Sequence, residues 1–419
     1  MSVRLLKKLL GSKVTKGTLE LISHDGSSET FGQPTEGYPD VAVRLADSKV
    51  ARDILLDPRL GAGECFMDSR LIVERGGIME MVQLIRMNTP WEKGGRLKAP
   101  SPLKRAKNHL SFLANSFNRP DSAKRNIAHH YDIGNDLYAL FLDEKHWQYS
   151  CAYWPGYPEN NDMTLGEAQE AKLAHIAAKL ALEPGMRVVE IGCGWGGLAI
   201  YLARNFDVHV TGITLSVEQA KLAKERAEAA GVADRIDFKL IDYREFAESG
   251  EQFDRVVSIA MFEAVGQPQF ETYFRCCGNL MKEDGVFLMH TIGRMGGPGS
   301  TDAFTSKYIF PGGYIPALSE TLAASEKVRL IATDVETLRL HYAPTLRAWY
   351  DRCEANKDAI VDMFDQRFYN MWTFYLAGAT AAFESGGMCN YQVQYCRSRD
   401  ALPITRDYIQ ENERKLMAR

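Results

Sequence analysis

Five polar side chains stand at the carboxyl ends of successive apolar runs in the second half of the chain. Glu190 lies near the end of Arg187–Ile191, Thr214 follows Val208–Ile213, and Asp242 follows Arg235–Leu240. Glu263 comes just after Phe253–Ala260, and His290 closes Gly285–His290. The runs are rich in β-branched residues and read as buried strands. Carboxylates and an imidazole set out in this way are the residue types that move a proton or hold an anion. Directly after the first run come Gly192, Gly194, Gly196 and Gly197. Lacking side chains, they let backbone amides approach a ligand's polar groups at a helix N-terminus. A nucleotide-derived cofactor beside acid–base side chains is the chemistry this pattern predicts.

Positioning those residues requires an alternating α/β chain. The strand Arg187–Ile191, the glycine turn, a helix over Leu198–Ala203 and the strand Val208–Ile213 form a right-handed parallel βαβ unit. NAD enzymes place a similar glycine run after their first strand. Here, however, Thr214 ends the second strand, where an NAD site carries an acid for the ribose hydroxyls. Glu190 also precedes the glycines, and Glu-x-Gly-x-Gly is the pattern of S-adenosylmethionine (SAM) methyltransferases. Helices over Val217–Ala230 and Phe270–Met281 continue the alternation, and Asn390–Cys396 reads as a late edge strand. Ligands of open α/β sheets sit outside the strands' carboxyl ends, so Glu190, Thr214, Asp242, Glu263 and His290 fall on one rim. An insertion runs from Arg294 to about Ser325 and includes Phe310–Pro316, FPGGYIP. Aromatic-rich helices then pass through Trp349, Phe364, Phe368, Tyr369, Trp372 and Tyr375, as a helical core or as the wall of an acyl tunnel.

The 419 residues predict two domains, and 45% apolar with 25% charged composition is enough for a sizeable core. A net charge of −4 gives no global reason to expect nucleic acid. The eight cysteines include no CxxC pair, so neither a metal site nor a disulfide framework is expected, and free thiols point to a reducing cytoplasm. No apolar run reaches membrane-spanning length and no signal peptide is visible, so any work on lipid is expected from the membrane surface. The first segment, 1–17, alternates Leu5, Leu6, Leu9 and Leu10 with Arg4, Lys7, Lys8, Lys13 and Lys16. It predicts a basic amphipathic helix that lies either in a membrane interface or on its own domain. Strand-like runs at Gly17–Ile22 and Val41–Leu45, with helices near Lys49–Leu56 and Ile78–Ile85, predict a small α+β domain. Residues 89–126 are rich in proline, lysine and arginine and read as a basic linker, in which each cation near an anionic bilayer contributes about 1 kcal/mol. The expected organisation is an N-terminal α+β domain over 1–90, a linker over 91–125 and a catalytic domain over 126–419.

Ahead of the sheet lie His129-His130-Tyr131-Asp132-Ile133-Gly134-Asn135-Asp136 and Tyr149-Ser150-Cys151-Ala152-Tyr153-Trp154. These motifs, with EIGCGWGG, TGITLSVEQ, MFEAVG, HTIG and YIFPGGYIP, closely resemble the cyclopropane-fatty-acyl-phospholipid synthases. The wider family includes the mycolic acid cyclopropane synthases and related SAM-dependent lipid methyltransferases. The resemblance runs from about Asn126 to the C-terminus; the N-terminal domain resembles that of full-length bacterial synthases more loosely. It implies a Rossmann-like class I SAM-dependent methyltransferase domain with helical insertions, preceded by a small α+β domain. The implied reaction forms a cyclopropane from a cis double bond of an unsaturated phospholipid acyl chain, with bound bicarbonate removing a proton from a carbocation. The implied bicarbonate cage is Cys151, Glu263, His290, Ile292 (through its amide) and Tyr342, with His290 and Tyr342 donating to the anion. Tyr314 is expected to face the cation with its ring. The implied SAM contacts are Tyr149, Ser150, Gly192, Gly194, Thr214, Leu215, Gln219, Tyr243 and Arg244, alongside Glu190, with Asp242 at the adenine edge. A homodimer and peripheral contact with the inner face of the cell membrane are implied as well. His129 and His130 are not expected to bind metal. Many family members carry His where this chain has Ala264, and a methylene- or methyl-branched product is the alternative outcome. A small-molecule N-methyltransferase and a non-catalytic lipid-binding relative are the other readings.

Overall fold

A computed structural model describes residues 2–94, 134–159 and 162–417. Most of the expected basic linker, beyond Gly94, and the stretch His129–Ile133 lie outside the described residues. Contacts divide the chain into two units. One comprises Met1–Ala114, Ser300–Pro311 and Leu346–Met388; the other comprises Asn115–Gly299, Gly312–Thr345 and Cys389–Arg419. The expected block 126–419 is therefore not one unit, because two of its helical segments gather with the N-terminal residues.

In the first unit, β1 (Gly17–Ile22), β2 (Ser28–Gln33), β3 (Asp40–Leu45) and β4 (Leu71–Arg75) form a sheet in the order β2-β1-β3-β4. β1 runs parallel to β3 and antiparallel to β2. The first helix, Ser2–Lys13, puts Leu6 into a core with Leu19, Leu21, Val41 and Val43, and leaves Leu5 53% exposed. The aromatic helices belong to this unit. Trp349 and Trp372 are fully buried, and Phe374 packs on Phe66 and Phe304. The helix Pro58–Met67 approaches so closely that a Cβ on Gly63 would lie 2.4 Å from the Phe304 ring. Of the named aromatics, Trp349, Tyr369 and Trp372 are buried as a helical core requires, whereas Phe364 is exposed and Phe368 and Tyr375 are half-buried.

The second unit is built on β5 (Arg187–Ile191), β6 (His209–Thr214), β7 (Ile236–Leu240), β8 (Phe253–Ile259), β9 (Met281–Arg294), β10 (Ile331–Leu338) and β11 (Met388–Cys396). Their order is β10-β11-β9-β8-β5-β6-β7. β5, β6, β7, β8 and β9 are parallel, and β10 pairs antiparallel with β11. The helix Leu165–Leu180 starts at a capping box between Thr164 and Glu167. It packs Leu173, Ile176 and Leu180 into one core with Val188, Leu198, Val257 and Leu288.

Two expectations are corrected here. β11 is not the edge strand, since β10 covers it and its side chains are almost all buried. The alternation of Asn390, Gln392 and Gln394 with apolar neighbours imitates a half-solvated strand, but these amides are spent on buried partners. Gln394, for example, donates to the Lys179 carbonyl at 2.6 Å. His290 is likewise not at a strand end: β9 continues to Arg294, and His290 pairs with Ile259 within the ladder.

Candidate active site

The glycine turn follows β5 directly. Gly192, Gly194 and Gly196 have φ of 82°, 52° and 77°, which side-chain-bearing residues rarely adopt. The amides of Gly192 and Cys193 both donate to the Ile213 carbonyl, at 2.9 and 3.0 Å, tying the turn to β6. Gly192 and Gly194 stay partly accessible, and nothing lies within 4 Å of a Cβ built on Gly194. Gly197 opens the next helix with no space at all: a Cβ there would sit 2.1 Å from the His146 carbonyl oxygen.

Glu190 is buried beneath this turn, and its Oε2 has no partner. Burial pushes its pKa up to about 8, against the pull of the Lys172 ammonium. At the end of β6, Thr214 donates to Gln219 Oε1 at 3.0 Å, and Leu215 beside it is half-buried. Asp242 caps the short helix Tyr243–Ala247, and both its oxygens accept from Arg244, at 2.8 Å each. Its carboxylate thus orients Arg244, a role absent from the expectation that it faces an adenine edge. Tyr243 sets its ring edge-on to Tyr273 and under the Arg244 guanidinium. On the other side of the turn, Tyr149 packs edge-on to Tyr138 and Phe141, and Ser150 is buried.

The expected anion-holding residues fall into three local arrangements. Glu263 lies on a single turn, Phe262–Ala264, after β8. Its Oε1 accepts from the Ile292 amide at 2.6 Å, while its buried Oε2 has no partner. Burial pushes its pKa up to about 7. The Tyr314 amide donates to the Glu263 carbonyl at 2.8 Å, and the Tyr314 hydroxyl donates to Glu320. This anchors the second half of Phe310–Pro316 at the end of β9. Cys151 is wholly buried, and burial pushes its thiol pKa far up. The neighbouring Ala152 amide donates to Thr345 Oγ1 at 3.2 Å. Thr345 is three residues after Tyr342 on the helix Tyr342–Ala355, so the two are neighbours on one side of that helix. His290 stands apart. Its Nε2 lies 3.2 Å from Asn390 Nδ2 and its Nδ1 3.1 Å from Gln392 Nε2. Burial holds its pKa well below the usual value. A neutral imidazole has one N–H, so one of these amides must turn its oxygen toward the ring. Its expected role as a donor to an anion meets this competition from β11.

Gln169 and Lys172, which the sequence reading passed over, are fully buried on the helix Leu165–Leu180 and bond to residues 148–150. No local pattern marks them, since the same helix also carries Glu167, Glu170, His175 and Lys179. Among the described residues, no helix is long and apolar enough to cross a membrane.

The partly open glycines, the buried unpartnered Glu190 oxygen and the Thr214–Gln219 pair fit the polar groups of SAM. Comparison with known proteins supports a SAM-dependent methyltransferase. The family model for mycolic acid cyclopropane synthetase matches residues 118–393. The cyclopropane-fatty-acyl-phospholipid synthase of Escherichia coli (strain K12) is 43% identical over 268 residues, 64% of this chain and 66% of that protein, just under two thirds of its length. The tuberculostearic acid methyltransferase UfaA1 of Mycobacterium tuberculosis is 33% identical over 408 residues, 93% of this chain and 90% of that protein. Among solved structures, mycolic acid cyclopropane synthase CmaA1 complexed with SAH and CTAB superposes with a TM-score of 0.60 at 31% identity, covering 65% of this chain and 97% of that one. The second unit has the class I SAM-methyltransferase fold, and the chain belongs to the mycolic acid cyclopropane synthetase family.

Proposed function

We propose that this chain is a SAM-dependent C-methyltransferase that converts a cis double bond of an unsaturated phospholipid acyl chain to a cyclopropane. The observation that carries the reading is Glu263: a buried carboxyl with one oxygen on the Ile292 amide and the other without a partner, behind a glycine turn that fits SAM. SAM, when bound, supplies an electrophilic methyl carbon. Gly192, Gly194, Thr214, Leu215, Gln219, Tyr149, Ser150, Tyr243 and Arg244 would hold it, with Glu190 beneath. The cation left on the acyl chain must lose a proton for the ring to close. Glu263, Cys151 and Tyr342 are the residues assigned to hold a bicarbonate as base; the Ile292 amide, which donates to Glu263, and His290, which is held by two amides, join them if each gives up a partner. The unpartnered Glu263 oxygen suits the bicarbonate hydroxyl, which needs an acceptor. Burial of Cys151, His290 and the Glu263 Oε2 atom keeps water from trapping the cation as an alcohol.

On this reading the enzyme works at the cytoplasmic face of a membrane, with the basic linker and first helix as its contacts, and the family resemblance is what supports a homodimer. Exhaustive removal of bicarbonate should depress turnover, and adding it back should restore it. Unchanged turnover in bicarbonate-free buffer would instead assign the base to a side chain. A second reading, a methyl- or methylene-branched product, is favoured by Ala264 and by the full-length similarity to a methyltransferase.

A further inference from the structure

The fully buried Lys172 ammonium has two partners: the side-chain oxygen of Gln148 and Ser150 Oγ, the latter at 3.1 Å. One turn earlier on the same face, Gln169 Nε2 donates to the carbonyls of Gln148 and Ser150, at 3.3 and 3.0 Å. One helix face thus grips segment 148–150 by both backbone and side chain. An ammonium taken fully out of water carries a large desolvation cost. A methionine would fill the same space in this apolar helix without that cost. Lys172 also interacts electrostatically with Asp143, Cys151 and Glu190.

We infer that Lys172 is a positioning residue for SAM, acting through the Ser150 hydroxyl and the Gln148 side chain. The inference rests on the reading that Tyr149 and Ser150 belong to the SAM site. A serine hydroxyl has one proton and two acceptor lone pairs. With the lysine donating into one lone pair, the hydroxyl proton must point elsewhere, and the bond polarises it into a stronger donor. Ser150 is thereby set to donate to an anionic group, and the anionic group of SAM is its methionyl carboxylate. The second branch fixes the turn itself. With its oxygen on Lys172, Gln148 directs Nε2 to the His146 carbonyl at 3.3 Å. Both groups lie against Gly197, where a Cβ would come within 2.4 Å of Gln148 Nε2. Lys172 therefore sets the donor direction at Ser150 and the seat of the first helical turn after the glycines.

The test is calorimetric binding of S-adenosylhomocysteine (SAH) and of 5′-methylthioadenosine, which lacks the amino-acid part, to wild type, Lys172→Met, Ser150→Ala and the double variant. The expected result is SAH binding weakened by about tenfold in Lys172→Met, the loss of one charge-assisted contact. Methylthioadenosine binding should weaken less than SAH binding, because only the Gln148 branch bears on the glycine turn, and the double variant should lose less than the sum of the two single losses, since the Ser150 branch is shared. Unchanged SAH affinity, equal losses for both ligands, or additive losses would each overturn the role. Should Lys172→Met fail to fold, Lys172→Gln carries the same comparison with the same expected and overturning results. Absence of SAH binding by the wild type would overturn the cofactor reading, and this inference with it; the other outcomes overturn this inference alone.

Discussion

Glu263→Gln separates what the carboxyl does for stability from what it does for the reaction. Burial raises its pKa from 4.5 to about 7 in the folded chain, chiefly against the Ile292 amide on Oε1. The folded state therefore holds the proton more tightly than the unfolded state. Stability from this group is fully present below pH 4.5 and is lost as pH rises through 7. At about 1.4 kcal/mol for each tenfold change in proton affinity, the loss amounts to roughly 3 kcal/mol by pH ~8.5. Glutamine has the same shape, can accept the Ile292 N–H through its oxygen, and does not ionise. Its buried NH2 group costs about the same at every pH. Between pH ~5 and ~8.5 the stability difference should therefore move by roughly 2–3 kcal/mol in favour of the variant. Urea unfolding of both proteins at the two pH values measures it. SAH binding should be retained while turnover falls by orders of magnitude. A stability difference that does not move with pH would refute the account of an acid whose pKa is raised by burial. Near-wild-type turnover would remove Glu263 from the reaction.

Other perturbations test separate parts of the site. Gly197→Ala places a methyl 2.1 Å from the His146 carbonyl oxygen, so either the turn or segment 146–148 must move. Melting and SAH calorimetry should show a loss of about 1–3 kcal/mol in stability together with weaker binding; a wild-type profile would mean the cradle is loose. Gln392→Leu strips one ring nitrogen of His290 of its partner. It should cost about 1–3 kcal/mol in urea unfolding, and no change would show that His290 does not depend on β11.

The legible parts of this molecule are those in which local pattern and burial agree. β5, its glycine turn and β6 appear where the apolar run and the glycines put them. Glu190 and Thr214 do lie at strand ends, and Asp242 and Glu263 just beyond them, because a parallel strand buried on both faces reads as a continuous apolar run. β11 was misplaced because its buried amides look like solvent-facing ones, and periodicity does not tell water from His290 as a partner. β2 supplies little apolar signal because its side chains are mostly exposed, while the apolar signal of β4, Leu71-Ile72-Val73, is only three residues long. Lys172 was illegible for the opposite reason. A lysine in a sequence reads as surface, and only the fold reveals it as fully buried. The grouping of the aromatic helices with the N-terminal residues depends on contacts hundreds of positions apart, such as Gln83 to Glu384 at 2.8 Å, which no local pattern encodes.

The most direct measurement is to incubate the protein with SAM and vesicles of a cis-monounsaturated anionic phospholipid, then to analyse the fatty acids by mass and proton NMR. The account predicts an acyl chain heavier by one CH2, with upfield ring protons and no remaining alkene. The same mass gain with an alkene retained, or with a methyl branch, would contradict ring closure and transfer the assignment to a branching methyltransferase. No product from any lipid, by a protein that still binds SAH, would contradict the lipid substrate itself.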